Sequence, residues 1–211
     1  MKSTIVIPNF NGIEYLEKCL DSILADTMEH PARILVIDNG STDGSCELAE
    51  RTPGVEVIRM GENRGFCEAV NTGIRASYTP YVILLNNDLT IEGGFVEEME
   101  KALDKDQKAL SAGAQMRMMR APDRMDNAGD YYCALGWAYD YGKGKKVSKR
   151  YQKPRRVFAA CGGAAIYRRS ILEQIGLFDE RHFAYLEDVD IGYRARIYGY
   201  RNLYEPRALV Y

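Results

Sequence analysis

With 211 residues, the chain is long enough to bury a substantial core within one large domain. A formal net charge of -2 excludes a molecule built as a whole to bind polyanions, and no apolar run approaches the roughly 18 residues of a membrane-spanning helix. Five scattered cysteines (Cys19, Cys46, Cys67, Cys133, Cys161), odd in number and without a CxxC pair, exclude a disulfide or zinc framework and read as reduced thiols.

Thr4 to Pro8 (TIVIP) predicts a first strand. Gly12 to Leu24 then brings Ile13, Leu16, Leu20, Ile23 and Leu24 to one helical face. Arg33 to Asp38 (RILVID) predicts a second strand. It ends in the turn formers Asn39 to Gly44, where Ser41 or Asp43 is placed to cap the next helix. Val55 to Arg59 is a short third strand, and Phe66 to Ala76 a helix. Tyr81 to Leu85 (YVILL) is apolar throughout, the pattern of a central strand covered on both faces. Ile91 to Leu103 predicts a further amphipathic helix. This β-α alternation implies an α/β fold with a doubly wound, mostly parallel central sheet and helices on both faces.

The rhythm breaks after a strand at Ala109 to Gln115. Arg117 to Lys153 is rich in Met, Arg, Tyr, Gly and Lys with weak periodicity, which predicts a long excursion or a small added β element. Regular structure resumes at Phe158 to Tyr167, with short helices at Arg169 to Ile175 and Asp188 to Tyr198 and a last strand from Asn202 to Tyr211. Charge is unevenly spread. Lys143 to Arg156 holds eight Lys or Arg and no acid, which leaves the remainder of the chain at -10. A mobile solvated loop is the expectation for this tract, with docking on anionic lipid or a phosphate-bearing acceptor as the alternative.

Carboxylates at strand ends carry the chemistry. Open α/β sheets bind ligands beyond the carboxyl ends of their strands. Asp38 ends the second strand there and suits a nucleoside base N–H or a ribose hydroxyl; the alternative is a turn Asp that holds its own loop. A dinucleotide fold would need a glycine fingerprint after the first strand, and Asn9-Phe10-Asn11-Gly12 has a single Gly. Asp88 closes Asn86-Asn87-Asp88 directly after YVILL and is the candidate ligand for Mg²⁺ or Mn²⁺, which take oxygen donors and often only one or two carboxylates. Glu187, Asp188 and Asp190 crowd three carboxylates into four residues. They suit a helix N-terminus, and their mutual repulsion also suits one of them to taking a proton. His30 and His182 are too few and too far apart to build a metal site and read as structural.

In that setting the segments IVIPNFNG, LVIDNGSTDGS, NRGFCEAVNTGI, VILLNNDLTI, CGGAAIYRRSILEQIGLFDE and YLEDVDIGYRARIYGY resemble the family 2 glycosyltransferases, more narrowly their bacterial rhamnosyltransferase-like branch. The resemblance covers nearly the whole chain outside Arg117 to Arg156. It implies a GT-A nucleotide-diphospho-sugar transferase fold forming one domain. Residues 1–116 would be its nucleotide-sugar half, 117–157 a variable excursion and 158–211 the acceptor half. It also implies that Pro8, Asn9, Asn11, Asp38 and Arg64 line the nucleoside side. Asn87 and Asp88 fall on the last two positions of the family's DxD motif, Asp88 being the metal ligand, while Asn86 departs from its leading Asp. Asp188 falls on the base of the ED motif, preceded by Glu187, and Gly162 and Gly163 lie in the acceptor-side segment. Trp137 and the nearby tyrosines are candidate sugar-stacking surfaces. Relatives often carry a His just past the last strand and a further C-terminal region, whereas this chain stops at Tyr211; a trimmed and a minimal version both fit.

The implied activity is an inverting, metal-dependent transfer from a nucleoside-diphosphate sugar, dTDP-rhamnose being one candidate, to a saccharide or lipid-linked acceptor in bacterial surface polysaccharide synthesis. The competing expectation is a catalytically impaired GT-A domain that binds a nucleotide sugar or glycan. No signal-peptide pattern is present, so a cytoplasmic location is expected, with peripheral contact at the inner face of the membrane. No nucleic-acid partner is expected.

Overall fold

The computed structural model describes residues 1–211. In chain order the elements are β1 (Ser3–Asn9), α1 (Ile13–Thr27), β2 (Arg33–Asp38), α2 (Ser45–Arg51), β3 (Val55–Arg59), α3 (Phe66–Ala76), β4 (Tyr81–Leu85), α4 (Phe95–Lys105), β5 (Ala109–Met118), β6 (Ala121–Asn127), β7 (Asp130–Tyr132), β8 (Ala138–Asp140), β9 (Arg155–Val157), β10 (Ala164–Arg168), α5 (Arg169–Ile175), α6 (Glu187–Ile197) and β11 (Arg201–Val210).

Nine strands form one sheet in the order β3-β2-β1-β4-β10-β5-β11-β9, with β6 paired to β5; β7 and β8 form a separate hairpin. β1, β2, β3 and β4 run parallel, as do β5 and β11, while β10 is antiparallel to both β4 and β5. Strand alternation sorts the core into two layers. Ile5, Ile7, Ile83 and Leu85 face one side, where Leu16 and Ile23 of α1 and Phe95 and Met99 of α4 cover them. Val6, Leu35, Val82 and Leu84 face the other, under Val70 and Ile74 of α3, Leu172 of α5 and Ile191 of α6. β4 is buried at all five residues, as its apolar run predicts. The strand order turns back on itself at β1 and β4, so their carboxyl ends, Asn9 and Asn86 to Asp88, open the crevice in which such sheets hold ligands.

Three local expectations are corrected. α4 begins at Phe95 and not at Ile91, because Gly94 adopts a left-handed φ of 82° and Ile91 pairs with Val210 instead. Buried Asp26 of α1 caps this helix from outside, accepting from Gly94 N (2.5 Å) and Val96 N (3.0 Å). α2 begins at Ser45. Asp43 accepts from the Ser45 N–H at 3.0 Å, and its second oxygen accepts from Ile13 N at 2.8 Å, so one carboxylate serves the starts of α2 and α1. The basic tract keeps most of its cations exposed, as expected, but it is not an irregular loop. It forms a 3-10 turn (Lys149–Tyr151) and β9. Tyr151 and Val157 are buried with Met125, Ala128 and Tyr204, and the Arg150 and Arg155 guanidinium groups lie 5.2 and 4.8 Å from the Tyr141 ring centre. Aromatic rings supply the apolar surface and the cation–π contacts that a reading of charge alone overlooks.

Candidate active site

Two clefts meet at the carboxyl ends of β1 and β4. The first, of about 270 Å³, is lined by Pro8, Asn9, Phe10, Asn39, Asn63, Gly65, Phe66, Asn86, Asn87, Asp88 and Phe183. Asn9, 1% exposed, is its brace. Its Nδ2 donates to Asp38 Oδ1 (3.2 Å) and Ser45 Oγ (2.9 Å), and its Oδ1 accepts from Asn87 Nδ2 (2.7 Å). Gly12 makes this possible: a Cβ there would stand 2.1 Å from Asn87 Nδ2 and 2.5 Å from Asn9 Oδ1. Asn39 ties the far wall, donating to Asn63 Oδ1 at 3.0 Å and to the Gly65 carbonyl at 3.1 Å.

Of the residues expected on the nucleoside side, Pro8 and Asn9 line this cleft and Asn11, Asp38 and Arg64 do not; Asn87 and Asp88, expected together after β4, line it as well. Asp38 is buried, with its oxygens facing Asn9 Nδ2 and Ser41 N, so here it holds the loop. Asn11, at a φ of 51°, accepts from Thr42 N (2.9 Å). Arg64 is exposed and pairs with Glu62 and Glu68. Phe10, Asn39, Asn63, Phe66 and Phe183 are lining residues that the sequence reading missed. The available signal was an Asn at or shortly beyond the end of each of the first four strands: Asn9, Asn39, Asn63 and Asn86. Asp88 is exposed at the mouth, and its carboxylate enters none of the structure's hydrogen bonds or ion pairs. A free carboxylate beside neutral amides fits Mg²⁺ or Mn²⁺, whose shells are completed by water and phosphate oxygens.

The second cleft, of about 510 Å³, shares Phe66 and Asn86 with the first. Its floor is acidic. α6 starts at Glu187 after two non-glycine residues in the left-handed region, Tyr185 (φ 73°) and Leu186 (φ 67°), a strained entry of the kind found where side chains are aimed for function. Asp188 Oδ2 accepts from Gly162 N at 3.1 Å and Oδ1 from Val189 N at 2.8 Å. Gly163 closes the seam between the clefts, its carbonyl accepting from Asn86 N at 2.9 Å. Glu187 is buried with Oε2 unpartnered, and burial, then the neighbouring Asp188, raises its carboxyl pKa. Asp190 does not join this group. It pairs with Arg194 one turn on, at 2.7 Å.

The third carboxylate is Asp130, which opens β7 in the excursion and which no periodicity marked. It is 4% exposed. Oδ1 accepts from Asn127 Nδ2 at 2.6 Å, and Oδ2 is buried without a donor. Ligand atoms of Asp130, Cys161 and Asp188 lie within 4.8 Å of one another. Burial, then the charge of Asp188, pushes the Asp130 carboxyl up to about 8. The proton sits on Asp130, whose Oδ2 is buried without a donor. Burial and both carboxylates likewise push the Cys161 thiol well up, so it stays protonated. A protonated thiol beside a protonated carboxyl is a poor donor set for hard Mg²⁺ or Mn²⁺; Asp88 is the better one. Trp137 is 72% exposed at the β7–β8 hairpin and lines neither cleft, whereas Tyr139 lines the second.

Comparison with known proteins bears on the family and the fold. The family model described as Glycosyl transferase family 2 matches residues 4–176. The N-acetylglucosaminyl-diphospho-decaprenol L-rhamnosyltransferase of Mycobacterium tuberculosis is 31% identical over 235 aligned residues, covering 98% of this chain and 74% of that protein. The structure of GalNAc-T7 with UDP, GalNAc and Mn2+ matches with a TM-score of 0.80 at 18% identity, over 100% of this chain and 43% of that one. The mannosyltransferase PcManGT from Pyrobaculum calidifontis, in complex with GDP-Man and Mn2+, matches with a TM-score of 0.72 at 19% identity, over 99% of this chain and 56% of that one. These structures establish the GT-A fold, and the family match together with the mycobacterial relative places the chain in glycosyl transferase family 2.

Proposed function

We propose that the protein is an inverting glycosyltransferase that takes a sugar from a nucleoside-diphosphate donor in the first cleft and passes it to an acceptor hydroxyl in the second. The observation that carries this reading is the junction of the clefts at Phe66 and Asn86, with the free carboxylate of Asp88 on one side and Asp188 on the other. Asp88 would hold Mg²⁺ or Mn²⁺, which when bound offsets the charge of the diphosphate. Asp188, oriented by the Gly162 and Val189 N–H groups, takes the proton of the acceptor hydroxyl. That oxygen bonds to the anomeric carbon as the bond to the diphosphate breaks, and the electron pair leaves with the diphosphate. Attack from the opposite side inverts the configuration. Asp130, buried close to Asp188, keeps its own proton and so adds no second charge there.

The name of the mycobacterial relative joins rhamnosyl transfer to a diphospholipid-linked sugar. It supports dTDP-rhamnose as a donor and a lipid-linked saccharide as an acceptor, for surface polysaccharide made at the inner face of the membrane. No helix is long and apolar enough to cross one. Calorimetric titration of UDP, dTDP and GDP, each with and without Mn²⁺, tests the donor cleft. Metal-dependent binding of one nucleotide is expected, and binding of none by folded protein would overturn the reading. Binding of both donor and acceptor without turnover would instead mark a module that holds nucleotide sugar.

A further inference from the structure

The basic tract has no part in the mechanism above, yet it is built into the fold beside the site. It forms a groove of about 410 Å³ lined by Lys143, Lys145, Lys146, Ser148, Arg150 and tyrosine rings. Of its eight cations only Lys143 has a carboxylate partner, Asp140 at 2.9 Å; the other seven have none within 4.0 Å. Two of them, Arg150 and Arg155, are fixed by tyrosine rings. Arg150 lies over the Tyr141 and Tyr151 rings at 5.2 and 5.3 Å, and Tyr151 is 3% exposed. Gly142, at a φ of 91°, admits that ring, since a Cβ would stand 2.8 Å from it.

The groove is continuous with the second cleft, because Tyr139, Asp140 and Lys143 line both. The two differ sharply in charge. The cleft presents Asp126, Glu187 and Asp188, acidic groups that disfavour an anion, and the groove next to it gathers unpaired cations. A molecule spanning both would place hydroxyls at the carboxylates and an anionic group at the lysines. The hairpin that supplies Tyr139 also exposes Leu135 (85%) and Trp137 (72%), an apolar tip of the chemistry that an aliphatic chain would meet.

We propose that this groove seats a phosphate or diphosphate group carried by the acceptor, with Lys145, Lys146 and Arg150 as its ligands, so that the sugar beyond it reaches Asp188. The proposal rests on the transferase reading and names the class of acceptor for it. Phosphate oxygens meet ammonium, guanidinium and the Ser148 hydroxyl, and the acidic cleft fixes which end enters.

The test uses farnesyl diphosphate as probe, with the donor cleft occupied by saturating Mn²⁺ and whichever nucleotide the calorimetry identifies, or Mn²⁺ alone if none binds. Binding is read from the single tryptophan, Trp137, and by calorimetry. Lys145→Glu/Lys146→Glu is compared with Lys149→Glu/Lys153→Glu, which reverses two exposed cations of the same tract outside the groove. The expected result is a loss of about tenfold or more in affinity for the first pair, with the second within about twofold of wild type and inorganic pyrophosphate competing. Equal losses in both pairs, or none, would overturn the site. A vesicle arm separates sources: if the first pair loses binding to phosphatidylglycerol vesicles while farnesyl diphosphate binding is unchanged, the ligand is a membrane headgroup and the acceptor assignment falls. Nucleotide binding is read separately in every variant. A failed donor cleft with an intact groove would refute the transferase reading and leave the anion site standing.

Discussion

Replacing Asp130 by Asn isolates the proton shared beside Asp188. The carboxyl is pushed from 3.8 to about 8 by burial and then by the charge of Asp188. The sign follows from linkage. Below pH 3.8 the group is protonated in both folded and unfolded chains and contributes no difference. As pH rises toward 8 the unfolded chain ionises and the folded chain does not, so folding stability falls across that window and the loss is complete above it. At about 1.4 kcal/mol for each tenfold change in proton affinity, the full effect is on the order of 5 kcal/mol. Asn keeps an oxygen for Asn127 Nδ2 and turns an NH₂ toward Asp188, and it does not ionise. The variant should therefore match wild type at pH 4 and gain stability over it as pH rises. A gain of only half the full effect would still raise Tm by roughly 5–10 °C at pH 8. Thermal unfolding of both proteins between pH 4 and 9 reads the difference. A difference curve flat with pH would refute the assignment of the proton to Asp130.

Asp88→Ala should remove the Mn²⁺ dependence of nucleotide binding while leaving Tm within about 1 °C of wild type, because the side chain is exposed and unpaired; unchanged metal dependence would exclude it as the ligand. Gly12→Ala should weaken nucleotide binding about tenfold or more by driving Asn87 from Asn9, which calorimetry would show, and unaltered affinity would mean that the Asn87 position is immaterial. Asp26→Ala should cost about 2 kcal/mol, since it strips two N–H groups at the start of α4 of their acceptor. Denaturant unfolding would register it, and a change below about 0.5 kcal/mol would refute the capping role.

Much of the sheet was legible because burial imposes period. RILVID, Val55 to Arg59 and YVILL occur as the strands expected, and Phe66 to Ala76 and Arg169 to Ile175 as the helices. These runs bury apolar faces against layers their own pattern implies. The antiparallel insertion of β10 between β4 and β5 was not legible, since strand order depends on partners distant in sequence. The start of α4 was misplaced because Ile91 is apolar for its bridge to Val210, a contact that mimics a helical face.

The site divides the same way. Asp88 and Asp188, which line the two clefts, sit just beyond a recognisable strand and at the start of a recognisable helix, so their position marked them as candidates. Asp130 lies in an aperiodic stretch, and only tertiary structure brings it to Asp188. The sequence placed Asp190 with Glu187 and Asp188, yet the helix turns it to Arg194. The basic tract read as a loop without structure because its lysines are conspicuous and the tyrosines that anchor it are spread between Tyr141 and Tyr204.

The most direct test of two-cleft transfer is Asp188→Asn, assayed in parallel for donor binding by calorimetry and for transfer with the donor and acceptor that wild type accepts. Donor affinity should stay within about twofold, because Asp188 lines the second cleft only, while transfer falls by about 10²-fold or more as the base is lost. Retained transfer, or a fall in donor affinity that matches the fall in rate, would contradict the assignment of Asp188 as the base.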